Sequence, residues 1–213
     1  MARVMTEATD ADAGQAPVAG LLLAAGGGRR LGGRPKALLR YRGRPLVERA
    51  VRVLGDGGCG PVHVVLGAGA AQVRAALAAV PEAVPVDNPG WSGGMGSSLR
   101  AGLASLAAME PEVSAVLVML VDQPRIGAAA VARVLAAHRA GAGLVSAAYS
   151  GERGHPVLFA REHWEGVAQA AEGDRGARGY LRRHADAVAL VECSDIAAPD
   201  DIDTPEDLPL LDG

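Results

Sequence analysis

Short apolar runs alternate with longer amphipathic stretches along most of the chain, and this alternation predicts a mostly parallel β-sheet with helices on both faces. The apolar runs have strand length, and the other stretches space their apolar residues three and four positions apart. The predicted strands are residues 18–23, 62–66, 83–87, 113–121, 143–148, 157–160 and 187–192. The predicted helices are residues 45–54, 70–80, 94–109, 127–140, 162–171 and 177–184, and a last short helix starts at Thr204.

The pattern contains no internal repeat and no linker, which indicates one α/β domain over residues 17–213. Residues 1–16 contain acidic side chains and no apolar core, so we expect a disordered leader and no signal peptide. Residues 151–156 are expected to form a loop that leads into the strand at 157–160.

Composition narrows the class of protein. About 49% of the residues are hydrophobic, but only two Trp, three Tyr and one Phe are present, so the core must consist of Ala, Val and Leu. The net charge is −3 and Lys and Arg are spread along the chain, which argues against a nucleic-acid partner. The apolar run at 113–121 is too short to span a membrane. Cys59 and Cys193 stand alone, which fits a reduced, cytoplasmic protein.

A glycine-rich, basic loop follows the first predicted strand, where open α/β sheets bind their ligands. Its glycines let backbone N–H groups approach phosphate oxygens, and Arg30 and Lys36 add positive charge against a triphosphate. The loop is no P-loop, because Arg34 stands where that motif has Lys. It is no dinucleotide fingerprint either, because Leu31 stands where that motif has its third Gly. The alternative is a flexible glycine-rich turn.

Two further segments have the chemistry of a nucleotide site. Asp122 follows the most apolar strand, so its carboxylate emerges at the ligand edge of the sheet and can bind Mg²⁺. The alternative is that Asp122 caps the following helix or turn. Residues 93–98 open a helix, and helix N-termini bind anions, while Ser97 and Ser98 can hydrogen-bond a base, ribose or phosphate. The alternative here is an ordinary helix start.

Six ordered segments resemble the MobA-like NTP transferase family, in particular its molybdenum cofactor cytidylyltransferase branch. They are LAAGGGRRLG with PK (23–32, 35–36), GMGSSL (94–99), VDQP (121–124), GHPVLF (154–159), GDRGAR (173–178) and DIDTPED (201–207). The resemblance covers nearly the whole chain without the leader. It implies a Rossmann-like fold of the nucleotide-diphospho-sugar transferase type.

The resemblance also implies roles for individual residues. The expected nucleotide-binding residues are Leu23, Ala24, Ala25, Gly26, Gly28, Arg30, Lys36, Gly94 and Ser98. Asp203 joins Asp122 as a magnesium ligand, unless it only supports a helix cap at Thr204. His155, Asp174 and Arg178 are expected to bind the acceptor. The alternatives are a structural histidine and a solvated turn with a surface ion pair.

The implied enzyme is a nucleotidylyltransferase in which Arg30, Lys36 and Asp122 are catalytic. It transfers CMP from CTP to a phosphorylated acceptor, the molybdopterin cofactor, for delivery to molybdoenzymes. Guanylyl transfer from GTP and sugar-phosphate acceptors stay open as alternatives within this fold. A non-catalytic nucleotide sensor would have lost Lys36 or Asp122, and both are present. A nicotinamide-dependent oxidoreductase would need an acidic residue after the second strand, where Gly67 and Ala68 stand.

Overall fold

A seven-stranded, mostly parallel sheet forms the centre of the protein, as the sequence predicts. The computed structural model describes residues 16–109 and 113–212, so the predicted leader lies almost wholly outside the described residues. The sheet strands are β1 (Val18–Ala24), β4 (Val62–Leu66), β5 (Ala83–Asp87), β6 (Ala115–Leu120), β7 (Leu144–Tyr149), β8 (Glu152–Ala160) and β9 (Val188–Glu192). Their order is β5-β4-β1-β6-β8-β7-β9, and β8 alone among them runs antiparallel to both of its neighbours.

Six α-helices cover the two faces of this sheet. They are α1 (Leu46–Asp56), α2 (Ala70–Ala76), α3 (Met95–Ala107), α4 (Ala128–Arg139), α5 (Trp164–Ala170) and α6 (Arg178–Arg183). The buried side chains of α1, α2 and α4 pack on one face, and those of α3, α5 and α6 pack on the other. Because successive strand residues point to opposite faces, Leu22 of β1 meets the first group of helices and Leu21 meets the second. No helix of the described residues is long and apolar enough to cross a bilayer.

The strand order creates the place where a ligand can bind. The chain runs outward from β1 to β4 and β5, then returns to lay β6 on the other side of β1. Connections that leave a sheet in opposite directions open a crevice at the carboxyl ends of the two strands. Leu23 pairs with Leu120 at these ends, and the Val121 N–H donates to the Leu23 carbonyl at 3.2 Å. The segments after β1 and β6 therefore begin side by side.

Two parts of the fold differ from the sequence prediction. The expected loop at 151–156 is wrong, because all but Gly151 belong to β8, which pairs with β7 through a two-residue turn at Ser150 and Gly151. The polar residues Glu152 and Arg153 concealed this strand, since they lie exposed at the rim. A small hairpin formed by β2 (Arg40–Tyr41) and β3 (Arg44–Pro45) was also not anticipated.

Candidate active site

The glycine-rich loop closes on itself directly after β1. The N–H groups of Leu31 and Gly33 both donate to the Gly28 carbonyl, at 2.8 and 3.0 Å. Gly28 has a φ of +56°, and a side chain there would collide with the carbonyl of Arg34, so the turn requires glycine. The closed turn leaves Arg29 and Arg30 exposed on the side that faces the crevice.

A cavity of about 570 Å³ lies between this loop, the start of α3 and the segment after β6. Most of the predicted site residues line it, namely Leu23, Ala25, Gly26, Gly28, Arg30, Lys36, Gly94, Ser98, Asp122, Asp174, Arg178 and Asp203. Ala24 does not line it, because its fully buried side chain points to the opposite face of the sheet, beside α1. Any contact of Ala24 with a ligand therefore falls to its backbone.

Lys36 joins the two acids that the sequence places far apart. Its Nζ donates to Asp122 Oδ2 at 2.7 Å and also contacts Asp203 Oδ1. Side-chain exposure is 14% for Lys36, 18% for Asp122 and 47% for Asp203, so the contact with Asp122 is the better shielded one. Burial lowers the pKa of Lys36, but the two carboxylates outweigh it and hold this pKa above its ordinary value. The lysine is therefore a fixed positive charge at neutral pH.

Neither acid is used as a helix cap. The N-cap of α4 is Gly127, which leaves Asp122 out of that helix. The last short helix, Pro205–Leu211, is capped by Thr204 and Asp207, and the Asp207 carboxylate accepts hydrogen bonds from the N–H groups of Asp203 and Thr204. The side chain of Asp203 stays directed at Lys36. The two capping alternatives therefore do not describe this structure.

The convergence of Asp122 and Asp203 on a single cation bears on metal binding. Mg²⁺ takes one or two carboxylates and completes its shell with phosphate oxygens and water. Two carboxylates that already share the Lys36 ammonium fit that requirement. The described residues contain no group of three or more His, Cys, Asp or Glu placed to hold a metal ion by itself. The site thus suits a metal that arrives with a phosphate ligand.

Asn88 is a site-forming residue that the sequence analysis did not single out. It is 7% exposed and follows β5, and its Nδ2 donates to Ser97 Oγ at 3.0 Å and to Ser98 Oγ at 3.1 Å. Ser97 in turn donates to the Gly94 carbonyl at 2.9 Å. Asn88 therefore holds the serines at the start of α3, and Ser98 faces the cavity. A polar residue directly after a strand is the signal that could have found it.

A second cavity, of about 480 Å³, adjoins the first. Its apolar floor consists of Leu99, Val118, Val157, Phe159 and Leu181, and four arginines, Arg153, Arg175, Arg178 and Arg182, stand around it. The two cavities share Leu23, Met95, Leu120, Arg178 and Asp201. The sequence analysis did not anticipate Arg153, Arg182 or Gln123 as part of this site.

The three predicted acceptor residues lie in different places. His155 lines the second cavity, and Arg178 lines both. Asp174 lines the first cavity and not the second one, because its loop packs on the start of α3. A Cβ on Gly94 would lie 2.5 Å from Asp174 Oδ1, so glycine is needed there for this packing. Burial, and then the charge of Arg178, lower the pKa of His155 to about 4, so its imidazole is neutral at pH 7.

Comparisons with known proteins agree with this geometry. Residues 20–188 match the MobA-like NTP transferase domain. The chain is 44% identical over 198 residues to nicotine blue oxidoreductase of Paenarthrobacter nicotinovorans, covering 90% of this chain and 94% of that protein. It is 37% identical over 129 residues to a probable molybdenum cofactor guanylyltransferase of Opitutus terrae, covering 60% of this chain and 59% of that protein.

Solved structures share the fold over nearly the whole chain. Rv0371c from Mycobacterium tuberculosis H37Rv superposes with a TM-score of 0.76 at 29% identity, covering 93% of this chain and 98% of that one. A manganese complex of Rv0371c superposes with a TM-score of 0.72 at 27% identity, covering the same shares of the two chains. Since the family match spans most of the chain, the protein belongs to the MobA-like NTP transferase family and is an enzyme of the nucleotidyltransferase class.

Proposed function

We propose that this nucleotidyltransferase transfers CMP from CTP to the phosphate of a molybdopterin-type acceptor and releases pyrophosphate. The observation that carries the proposal is the contact of Lys36 with both Asp122 and Asp203 in a cavity roofed by the glycine-rich loop. Positive charge, carboxylates and open backbone N–H groups are what a metal-bound triphosphate requires. Delivery of the product to molybdoenzymes would then be the physiological role.

The transfer needs positioning and charge neutralisation more than proton transfer. An oxygen of the ionised acceptor phosphate attacks the α-phosphorus, the new P–O bond forms, and the bond to the β-phosphate oxygen breaks, so that pyrophosphate leaves with its electron pair. An ionised phosphate is already a nucleophile, so no general base is required. Lys36 and Arg30 line the first cavity and would offset the charge of the triphosphate. Asp122 and Asp203 would hold Mg²⁺, which supplies further charge neutralisation and aligns the phosphate oxygens.

The two cavities support a division between donor and acceptor. The first cavity has the glycine-rich loop and the acids, and we assign it to the triphosphate. The second combines an apolar floor with four arginines and with polar side chains that include Gln123 and His155, which suits a flat heterocyclic body that carries phosphate. A sugar 1-phosphate exposes hydroxyl groups on most sides and would leave that floor without a complementary surface. This favours a pterin-like acceptor over a sugar.

The choice of CTP over GTP as the donor has weaker support than the reaction itself. The guanylyl branch of the family usually has L-A-G-G where this chain has Leu23-Ala24-Ala25-Gly26, which favours CTP. The similarity to the guanylyltransferase of Opitutus terrae favours GTP. The alternative within the same reaction is therefore guanylyl transfer.

A second candidate function is a nicotinamide-dependent reduction. It is favoured by the 44% identity with a protein named nicotine blue oxidoreductase over 90% of this chain. A reduced nicotinamide dinucleotide would lie in the first cavity and pass a hydride to a flat aromatic acceptor in the second, with a proton taken from water. Against this reading, Leu31 interrupts the dinucleotide fingerprint, and Gly67 and Ala68 follow β4 where that fold carries an acid.

One experiment separates these functions. Pyrophosphate release is measured with Mg²⁺ and each of the four common NTPs, without acceptor, with molybdopterin-type acceptors and with a panel of sugar phosphates. In parallel, NADH and NADPH oxidation is followed with aromatic quinone-type acceptors. We expect pyrophosphate from CTP with the molybdopterin acceptor alone. Absence of pyrophosphate and of calorimetric NTP uptake, together with consumption of NADH or NADPH, would establish the oxidoreductase instead.

A further inference from the structure

The segment that carries Asp203 is held in place by few contacts. Residues 197–203 form no regular secondary structure, so no strand or helix ladder fixes their backbone. Asp203 nevertheless contacts the same Lys36 ammonium as Asp122, which follows the central strand β6. The Asp203 N–H donates to the Asp207 carboxylate at 2.9 Å, and the rest of the segment must be positioned by contacts with other parts of the protein.

The contacts that hold this segment come largely from the residues directly after β6. The Ile202 N–H donates to the Asp122 carbonyl at 2.9 Å, and the Ile202 side chain is fully buried. Gln123 Nε2 donates to Asp201 Oδ1 at 2.8 Å and to the Pro199 carbonyl at 3.3 Å. Arg125 pairs with Asp200 at 2.9 Å, with both side chains more than 40% exposed.

Among the side chains that contact this segment, Gln123 is buried at a cost to folding stability. It is 5% exposed, and its Oε1 is buried without a hydrogen-bond partner. Its amide orientation is unambiguous, because both partners are oxygen acceptors and require the N–H side. A buried acceptor without a partner costs stability, and an apolar residue of similar size would avoid that cost. Its two partners are exposed and would be solvated if the amide were removed.

We infer that Gln123 is a positioning residue for the metal site. Its amide ties the Asp203 segment to the end of β6, so that Asp122 and Asp203 reach the same cation before any ligand binds. The inference rests on the proposed function, because it takes the two acids as the ligands of the divalent metal. Groups that orient metal ligands from behind typically change metal affinity 10- to 100-fold when they are removed.

The test measures Mn²⁺ binding to the full-length protein by the loss of the free Mn²⁺ signal in electron paramagnetic resonance, with a non-hydrolysable CTP analogue present. We expect Gln123→Leu to weaken Mn²⁺ binding about tenfold or more. Its thermal midpoint should stay within about 4 °C of wild type, because the lost bonds end on solvated groups and the unpartnered Oε1 is removed. Arg125→Gln is the matched control: it cuts the exposed contact between the same two segments and should leave Mn²⁺ affinity unchanged.

A donor–acceptor exchange gives a second readout. Gln123→Glu places a carboxylate against Asp201 and should also weaken Mn²⁺ binding. Adding Asp201→Asn restores the shorter of the two hydrogen bonds with the roles exchanged, but not the one to the Pro199 carbonyl, and should recover part of the affinity. This pair decides the question if Gln123→Leu does not fold. Wild-type affinity in Gln123→Leu, an equal loss in Arg125→Gln, or no recovery in the double variant would overturn the inference. Wild-type protein that takes up no Mn²⁺ with any of the four nucleotides would refute the proposed function as well.

Discussion

The two cavities differ in the groups that they offer to a negatively charged ligand. The first cavity is lined by the loop after β1 and by the start of α3, with Lys36 between two acids. The second cavity uses side chains, with arginines around an apolar floor. Backbone N–H groups in a closed turn are positioned by the chain itself, whereas guanidinium groups depend on which elements the fold brings together. One short segment of sequence, the glycine-rich loop, is therefore enough to predict the first cavity. No single segment predicts the second.

The largest effect on turnover is expected from Asp122 and Lys36 of the first cavity. We expect Asp122→Ala and Lys36→Ala to leave the fold intact and to reduce pyrophosphate release by on the order of 10²-fold or more, because each removes a charge aimed at the triphosphate. The measurement is the initial rate at saturating CTP and acceptor. Arg74→Ala is the control, since it breaks an exposed ion pair with Asp87 outside both cavities. Near-normal rates in both active-site variants would refute the assignment.

A smaller effect is expected where the cavities meet. Arg178 lines both, so Arg178→Ala should raise KM for the acceptor about tenfold or more, the effect of losing one charged hydrogen bond, with less change in KM for the nucleotide. Arg183 lies on the same helix, is exposed and lines neither cavity, which makes Arg183→Ala the matched control. Equal changes in both KM values would show that Arg178 does not distinguish acceptor from donor.

The smallest effect concerns the neutral histidine of the second cavity. The pKa of His155 is lowered to about 4, against about 6.5 in an unfolded chain. Between pH 4 and pH 6.5 this imidazole is protonated in the unfolded chain and neutral in the folded one. The free energy of unfolding therefore decreases as the pH falls through this range and increases as the pH is raised. We expect His155→Gln to remove part of that loss, on the order of 1 kcal/mol near pH 5. Urea unfolding of both proteins across this range measures it, and identical pH profiles would contradict the assignment.

The accuracy of the sequence prediction followed the strength of the local signal. The strands at Val62–Leu66 and Ala83–Asp87 have the predicted ends, because apolar runs bounded by turn residues leave little choice. The first half of β8 was taken for a loop, because Glu152 and Arg153 are polar and exposed, and this half pairs with β7 but not with β6. The resemblance assigned Asp174 to the acceptor, and neither it nor spacing along the chain shows that the Asp174 loop packs on Gly94.

The sequence by itself determined the α/β class, the position of the glycine-rich loop after the first strand and the family, because each depends on short-range pattern or on ordered motifs. Only the tertiary structure decided that Asp203 contacts Lys36, 167 positions away in the chain. It also decided that Gln123 donates to Asp201 in the segment that carries Asp203. The physical reason is the strand order. It places the ends of β1 and β6 side by side, and the irregular segment 197–203 lies against the residues that follow β6. This arrangement depends on packing of the whole sheet.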